Sequence, residues 1–420
     1  MPGHNGVGEL EQFDITEIDG ADSLYEASGI IRESEENASL LFGCPTFYST
    51  EGSSLAIRAM LYLAMLTKSD GVRPTVLAGR NAHKVFVSAA ALLDFEIEWL
   101  VGKGSYLACT LTPEDVEAAI TKMSAPPIAV YITSPDYLGN TADIKGISEV
   151  CRRHGVLLLV DNAHGAYLAF TEPSAHPIAL GADMCADSAH KTLPCLTGTA
   201  YLHLSEMLPE GIRERAKAAM ALFGSTSPSY LLLGSLDHVN AYIASGYKEK
   251  LSAFTKRLAQ MKEILTGVGG FEIVGNEPMK LTLMPKSYGY TGHELAKKLK
   301  RYKIVSEFAD PDFLVLMPTP EMTEMELAKL EVTLLTLKKR APISSTPPAL
   351  SLPKRALSPR EAVHSAAERI SVDEAEGRVL ADITVGCPPA VPIVVSGEII
   401  TKEAVDAFRY YGIEYCSVIK

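Results

Sequence analysis

Six consecutive residues, Asp187-Ser188-Ala189-His190-Lys191-Thr192, bring together an amine, an imidazole and small hydroxyls 26 positions beyond Asp161. A lysine in a Gly/Ser/Thr-rich apolar neighbourhood loses part of its preference for the charged form. It then becomes the kind of amine that condenses with a carbonyl to a Schiff base. Asp161 closes the apolar run VLLLVD at 156–161. A carboxylate there needs a partner, and a protonated pyridine nitrogen is one. Ser53 and Ser54 precede LAIRAMLYLAML at 55–66, a strong helix pattern. The N–H groups at the start of such a helix are free to hold phosphate. An amine, an acid for a ring nitrogen and a phosphate nest are what a pyridoxal 5'-phosphate site requires. Each piece also has an ordinary reading. Asp161 suits a helix cap, Ser53-Ser54 an N-cap, and His83 and His164 suit satisfied core or surface histidines. FYSTEGSS lacks the Gly-Lys-Ser/Thr of a P-loop, so nucleotide hydrolysis has no support.

The elements that must position these residues alternate. PTVLAG (74–79), EIEWLV (96–101), PIAVYITS (127–134), VLLLVDNAHG (156–165), ADMCADSAHK (182–191, strand then polar turn) and GTAYLHL (198–204) read as strands. HKVFVSAAALL (83–93), TPEDVEAAITKM (112–123) and DIKGISEVCRRHG (143–155) read as helices between them. Continuous apolar strands alternating with amphipathic helices indicate an α/β layer with a mostly parallel sheet, whose ligands sit at the carboxyl ends of strands. The polar clusters fall at those ends. A helical stretch over 229–267 bridges to a smaller α+β unit, with strands at 271–275 and 281–285, helix 291–302, two strands within 304–318 and helix 322–340. APISSTPPALSLPKR (341–355) reads as a linker. The resulting division is an arm at 1–30, a large domain at 31–240, a small α+β domain at 241–345, and a linker with C-terminal cap at 346–420.

With 420 residues, 47% hydrophobic and 21% charged, the composition is that of a globular chain of two or three domains. Lys plus Arg is 39 against 51 Asp plus Glu, a net charge of −12. No basic surplus exists to neutralise phosphates, which argues against nucleic acid as a partner. The seven cysteines form no CxxC pair, which suggests reduced thiols, no metal and a cytoplasmic setting. The N-terminus MPGHNGVGELEQFD has no apolar core of a signal peptide, and no apolar run is long enough to span a membrane.

LLVDNAHGAYLAF (158–170) and SAHKTLPCLTGTAYLHL (188–204) resemble the major Orn/Lys/Arg decarboxylase family of fold-type I pyridoxal-phosphate enzymes. So do PGHNG (2–6), the serine segment at 49–54, RNAHK (80–84), SPDYLGNTADI (134–144), STSPSY (225–230) and PPAVPIVVSGE (388–398). The resemblance covers essentially the whole chain, in a short form without an N-terminal wing domain. It implies that Lys191 carries the cofactor, that Asp161 pairs with the ring nitrogen and that His83 stacks on the ring. It also implies that Ala163 lies on the opposite ring face and His164 at the rim, and that Ser53, Ser54, Ser188 and His190 approach the phosphate. Thr226 and Ser227 would reach the phosphate from a neighbouring subunit, which makes a homodimer or higher homo-oligomer the expected form. The implied reaction is decarboxylation of arginine, lysine or ornithine. Transamination on the same fold, or a noncatalytic homologue, stays open. No Arg between Arg301 and Arg340 is present to anchor a retained α-carboxylate, which favours a reaction in which that group leaves. For the cationic end of a basic substrate the candidates are Glu398 first, then Glu307, Asp310 and Asp312. Asn5, Asn162, Tyr167, Cys387 and Ser396 depart from the family pattern and put substrate choice in doubt.

Overall fold

A computed structural model describes residues 11–15, 18, 20–67, 73–102, 109–387 and 391–420. The PGHNG segment with Asn5, and residues 388–390 of the C-terminal motif, lie outside the described residues, as does the side chain of Cys387.

Seven strands form the main sheet: β1 (Thr46–Ser49), β2 (Thr75–Gly79), β3 (Glu96–Leu100), β4 (Ala129–Thr133), β5 (Leu157–Asp161), β6 (Met184–Asp187) and β7 (Ala200–Leu204), in the order β1-β7-β6-β5-β4-β2-β3. The pairings β2–β3, β2–β4, β4–β5 and β5–β6 are parallel, whereas β7 runs antiparallel to β6 and β1. The central strands are buried along nearly their whole length, as apolar strands covered on both faces must be. Helices Gly52–Met65, Lys84–Leu93, Pro113–Lys122 and Ile144–His154 supply the cover. Pro113–Lys122 starts with a capping box between Thr112 and Asp115, and Ile144–His154 ends at Gly155 in the left-handed conformation. Strand β1 was not foreseen. It comprises only TFYS, too short for its alternation to register, and exists by pairing with β7.

Register sets up the chemistry. Thr133 pairs with Asp161, and Asp161 with Ala186, so the carboxyl ends of β4, β5 and β6 are level. The next residues of each strand, Ser134, Asn162 and Asp187-Ser188, leave the sheet on one side.

The helical stretch expected over 229–267 is two helices, Tyr230–Ala244 and Tyr247–Gly267. They part at Gly246, whose φ of +101° suits glycine and breaks the helical path. Beyond them β8 (Glu272–Val274), β9 (Leu281–Met284), β10 (Phe308–Ala309) and β11 (Leu314–Leu316) form an antiparallel sheet ordered β10-β11-β9-β8. Helix Gly292–Lys300 lies between β9 and β10 in sequence and helix Glu324–Leu335 follows β11, and each starts with a capping box. Residues 341–354 have no regular structure. The C-terminal part pairs β12 (Ala367–Ser371) with β15 (Tyr415–Ile419) and β13 (Thr384–Cys387) with β14 (Val391–Val395), around a core that includes Val394, Ile400, Phe408 and Val418.

Candidate active site

The level strand ends open onto a cavity of about 190 Å³. Ser53, Ser54, His83, Asp161, Ala163, His164, Ser188, His190 and Lys191 all line it. Residues far apart in sequence meet there because three parallel strands end together and a fourth element, helix Gly52–Met65, points its first turn at the same space.

Asp161 is 2% exposed. Its carboxylate accepts the Tyr131 hydroxyl at 3.0 Å and the Ala163 N–H at 3.2 Å. Burial, reinforced by the neighbouring Asp161 charge, keeps the Tyr131 phenol protonated and therefore a donor. Tyr131 sits two residues before Thr133 on β4, on the face shared with it. Gly165 permits the turn after Asp161: a Cβ there would fall 2.0 Å from the side-chain oxygen of Asn162.

Solvent reaches Lys191 through the cavity mouth, yet protein crowds it on most sides. Burial lowers its amine, and the charges of Asp161 and Glu307 oppose that effect. Its Nζ lies 3.1 Å from His164 Nε2. Burial, together with the cations Lys280 and Lys191, pushes His164 well below the ordinary imidazole range. As a neutral ring accepting from Lys191, it carries its proton on Nδ1, which is buried without a protein partner. His83 caps helix Lys84–Leu93, its Nδ1 accepting from Val85 N at 3.3 Å. That bond fixes the ring and leaves the proton on Nε2, and burial holds the ring neutral. His190 donates from Nδ1 to the Thr199 carbonyl at 2.8 Å.

Ser188 donates to Ser53 at 2.8 Å. With Gly52 and Ser54 these hydroxyls lie at the N-terminus of a 14-residue helix that has no acidic residue in its first turn, the carboxylate of its N-cap Glu51 being taken up by the Ser225 N–H. That end favours an anion.

Other sequence-predicted residues lie elsewhere. Thr226 and Ser227 are exposed and outside the cavity of one chain. Glu398, expected first among substrate carboxylates, is 1% exposed and grips Arg80 with both oxygens, at 2.7 and 2.8 Å. It is not brought to the cavity. Asp310 is used locally. It accepts the N–H groups of Asp312 and Phe313 in the turn between β10 and β11, and burial raises it to about 7. Asp312 pairs with Lys286 at 2.6 Å. Glu307 is exposed near the mouth, where it accepts the Tyr137 hydroxyl at 3.0 Å. The Tyr137 ring meets His164 edge-on at 4.9 Å.

Sequence reading missed Tyr131, Thr133, Asp136, Tyr137 and Lys280. Four of these line the cavity or bond to Asp161 from the end of β4 and the loop after it. The rule that ligands gather at strand carboxyl ends applies to that strand as much as to β5, and was the available signal. Lys280 is different. It arrives from the residue just before β9 of the other sheet, donates to the Asp136 carbonyl at 2.7 Å, and is lowered to about 8 by burial.

The donor set fits pyridoxal phosphate. An amine, a fixed carboxylate, a neutral ring on a rigid cap and an anion-seeking helix end share one cavity. Among the described residues His164 Nδ1 and the Thr133 hydroxyl are buried without a hydrogen-bond partner, and both residues line the cavity.

Comparison with known proteins agrees. Residues 7–282 match the model of the Orn/Lys/Arg decarboxylase major domain, and residues 340–414 match the Orn/Lys/Arg decarboxylase C-terminal domain. The chain belongs to the Orn/Lys/Arg decarboxylase family. Its relatives include YaaO of Bacillus subtilis, 31% identical over 417 residues, covering 94% of this chain and 85% of the relative. An arginine decarboxylase of Halalkalibacterium halodurans is 31% identical over 448 residues, covering 96% and 87%. The fold matches lysine decarboxylase LdcF of Francisella novicida with a TM-score of 0.79 at 17% identity, over 100% of this chain and 76% of that one. The E. coli constitutive lysine decarboxylase gives 0.77 at 18%, over 98% and 76%. Membership in the Orn/Lys/Arg decarboxylase family carries dependence on pyridoxal phosphate and decarboxylation of a basic amino acid. The expected large α/β layer, small α+β unit and C-terminal cap are those of its fold.

Proposed function

We propose that this cavity decarboxylates arginine or lysine, with ornithine as the third substrate of the class, and that Lys191 and Asp161 are its central residues. The observation that carries the reading is the convergence of Lys191, Asp161 and the 52–54 helix end on one cavity.

When bound, pyridoxal phosphate supplies an aldehyde for amines and a ring that takes up the electron pair left by departing carbon dioxide. Gly52, Ser53, Ser54 and Ser188 hold its phosphate, with His190 beside them. His83 and Ala163 bound the two ring faces. Ala163 is small enough to leave room, and His83 is neutral and pinned by its cap. Asp161, oriented by Tyr131 and Ala163, holds a proton at the pyridine nitrogen, which strengthens the electron sink. Lys191 offers the aldehyde an amine that burial has brought closer to its neutral form. After the carboxylate leaves, Lys191 and His164 return a proton to the substrate α-carbon across their 3.1 Å contact. Glu307 faces the cationic end of the substrate, with Tyr137 steering its carboxylate.

Thr226 and Ser227, exposed in the single chain, complete the phosphate site of a neighbouring copy, which makes a homodimer the functional unit. Among the described residues no helix is long and apolar enough to cross a membrane, which supports the reading of a cytoplasmic enzyme.

The test is release of labelled carbon dioxide from carboxyl-labelled arginine, lysine and ornithine by the cofactor-loaded protein. Release from at least one is expected. Loaded protein that releases none, while passing amino groups to a keto acid, refutes the proposal.

A further inference from the structure

Behind the cavity wall, on the far side of β6, lies a second cluster. His176 and His203 each place Nε2 against Asp187 Oδ2, at 3.1 and 3.2 Å. Cys185 Sγ lies 3.3 Å from Asp187 Oδ1 and 3.9 Å from His176 Nε2. His176, Asp187, His203 and Cys185 are at most 1% exposed. None of the four lines the catalytic cavity.

Three physical points converge. The first is charge. An ionised carboxylate at zero exposure needs a compensating cation. Among the described residues the ion-pairing partners of Asp187 are His176 and His203, and no lysine or arginine lies within pairing distance of it. The second is the proton inventory. Thr46 donates its hydroxyl to the Cys44 carbonyl at 2.9 Å, so at 3.0 Å it accepts from His203 Nδ1–H. With the proton on Nδ1, His203 turns its Nε2 lone pair toward the Asp187 oxygen, an arrangement that a metal ion or a second ring proton between them would satisfy. The third is geometry. Ligands about 2.0–2.1 Å from one tetrahedral ion are spaced about 3.3 Å apart, close to the nitrogen–oxygen separations found here.

We propose that His176, His203, Asp187 and Cys185 form a structural zinc site. Binding displaces the Cys185 thiol proton to solvent. The dication, the carboxylate and the thiolate then sum to zero, a balance suited to a water-free site. Two imidazoles and a carboxylate, with ligand atoms within 4.8 Å of one another, and a thiol beside the carboxylate are donors zinc takes in four-coordinate sites. Two of the outer contacts are in place: Thr46 orients His203, and Asn162 donates to Asp187 Oδ1 at 2.7 Å, whereas His176 Nδ1 is buried without a partner among the described residues. Through Asn162 the site braces the turn that follows Asp161. The competing occupant of the same space is a proton, with His203 as an imidazolium.

The experiment is metal analysis of the full chain, produced in zinc-supplemented medium and dialysed against a weak chelator. About one zinc per chain is expected, falling at least fivefold in Asp187→Asn and in His176→Gln. A second measurement does not depend on how those variants fold. Wild-type chain produced with cobalt in place of zinc should show a thiolate-to-cobalt charge-transfer band that Cys185→Ser removes. Substoichiometric zinc together with no such band in the wild type overturns the site in favour of the imidazolium. Full zinc retention by both Asp187→Asn and His176→Gln overturns it as well.

Discussion

Asp161 illustrates how much a single residue depends on its neighbours. The carboxylate is held by a phenol and a backbone N–H; an amide of the same shape keeps the acceptor for Ala163 N–H and meets the Tyr131 hydroxyl as a donor instead. What Asp161→Asn removes is the capacity to hold a proton at a ring nitrogen. The expected outcome is a fall in kcat of roughly 10²- to 10⁴-fold, the range for loss of a positioned proton-transfer group. Pyridoxal phosphate should stay bound, as read from its visible absorbance, and loss of the cofactor would show a binding role instead. Residue types and spacing were enough to single out Asp161, Lys191 and the serine pair. They gave no role to Lys280 or Tyr137: a lysine just before a distant strand carries no local pattern, and Tyr137 lies within the family-like segment 134–144 without being singled out there. Asn162 shows the opposite case. At this departure from the family pattern the chain has a donor, and it reaches Asp187. A glutamate there would set two buried carboxylates against each other.

At the scale of elements, the pair Arg80–Glu398 ties the turn after β2 to the hairpin end after β14, 318 residues apart. Arg80 also donates to the Ile393 carbonyl and stacks over Trp99 at 4.8 Å. Removing Glu398 strands a buried guanidinium, at a cost of about 3–5 kcal/mol. Glu398→Ala should therefore lower the denaturation midpoint strongly. KM for the amino acid, measured at low temperature on the folded fraction, should move little. A large KM rise at unchanged stability would restore Glu398 to the substrate site. The glutamate was visible in the sequence as the end of a motif. Its partner was not, because nothing local distinguishes a carboxylate facing a ligand from one facing an arginine brought in by the fold. The helix over 229–267 failed as one element for a related reason: the apolar pattern continues across Gly246, and only the backbone turn there separates two axes.

For the whole molecule, pH sensitivity sums over opposed groups. Burial depresses His83 and His164 below the ordinary 6.5. Below about pH 6.5 the unfolded chain binds protons that the folded chain refuses, so this stability is present above that pH and lost as pH falls. Asp310 has the other sign. Raised from 3.8 to about 7, it binds a proton more readily when folded, and its contribution is lost as pH rises across that interval. In cofactor-free protein, His164→Gln should flatten the acid-side loss of thermal midpoint between about pH 6.5 and 5. An unchanged acid slope would show that the ring is not held neutral. The sequence by itself determined the layered α/β class, the chemistry of an amine, an acid and an anion nest, and the family, because these follow from local period and from residues adjacent along the chain. Only the tertiary structure decided that β4, β5 and β6 end level, that Glu398 belongs to Arg80, and that His176, Asp187 and His203 meet. Those contacts are set by register and crossover between segments whose separation in the chain leaves no local trace.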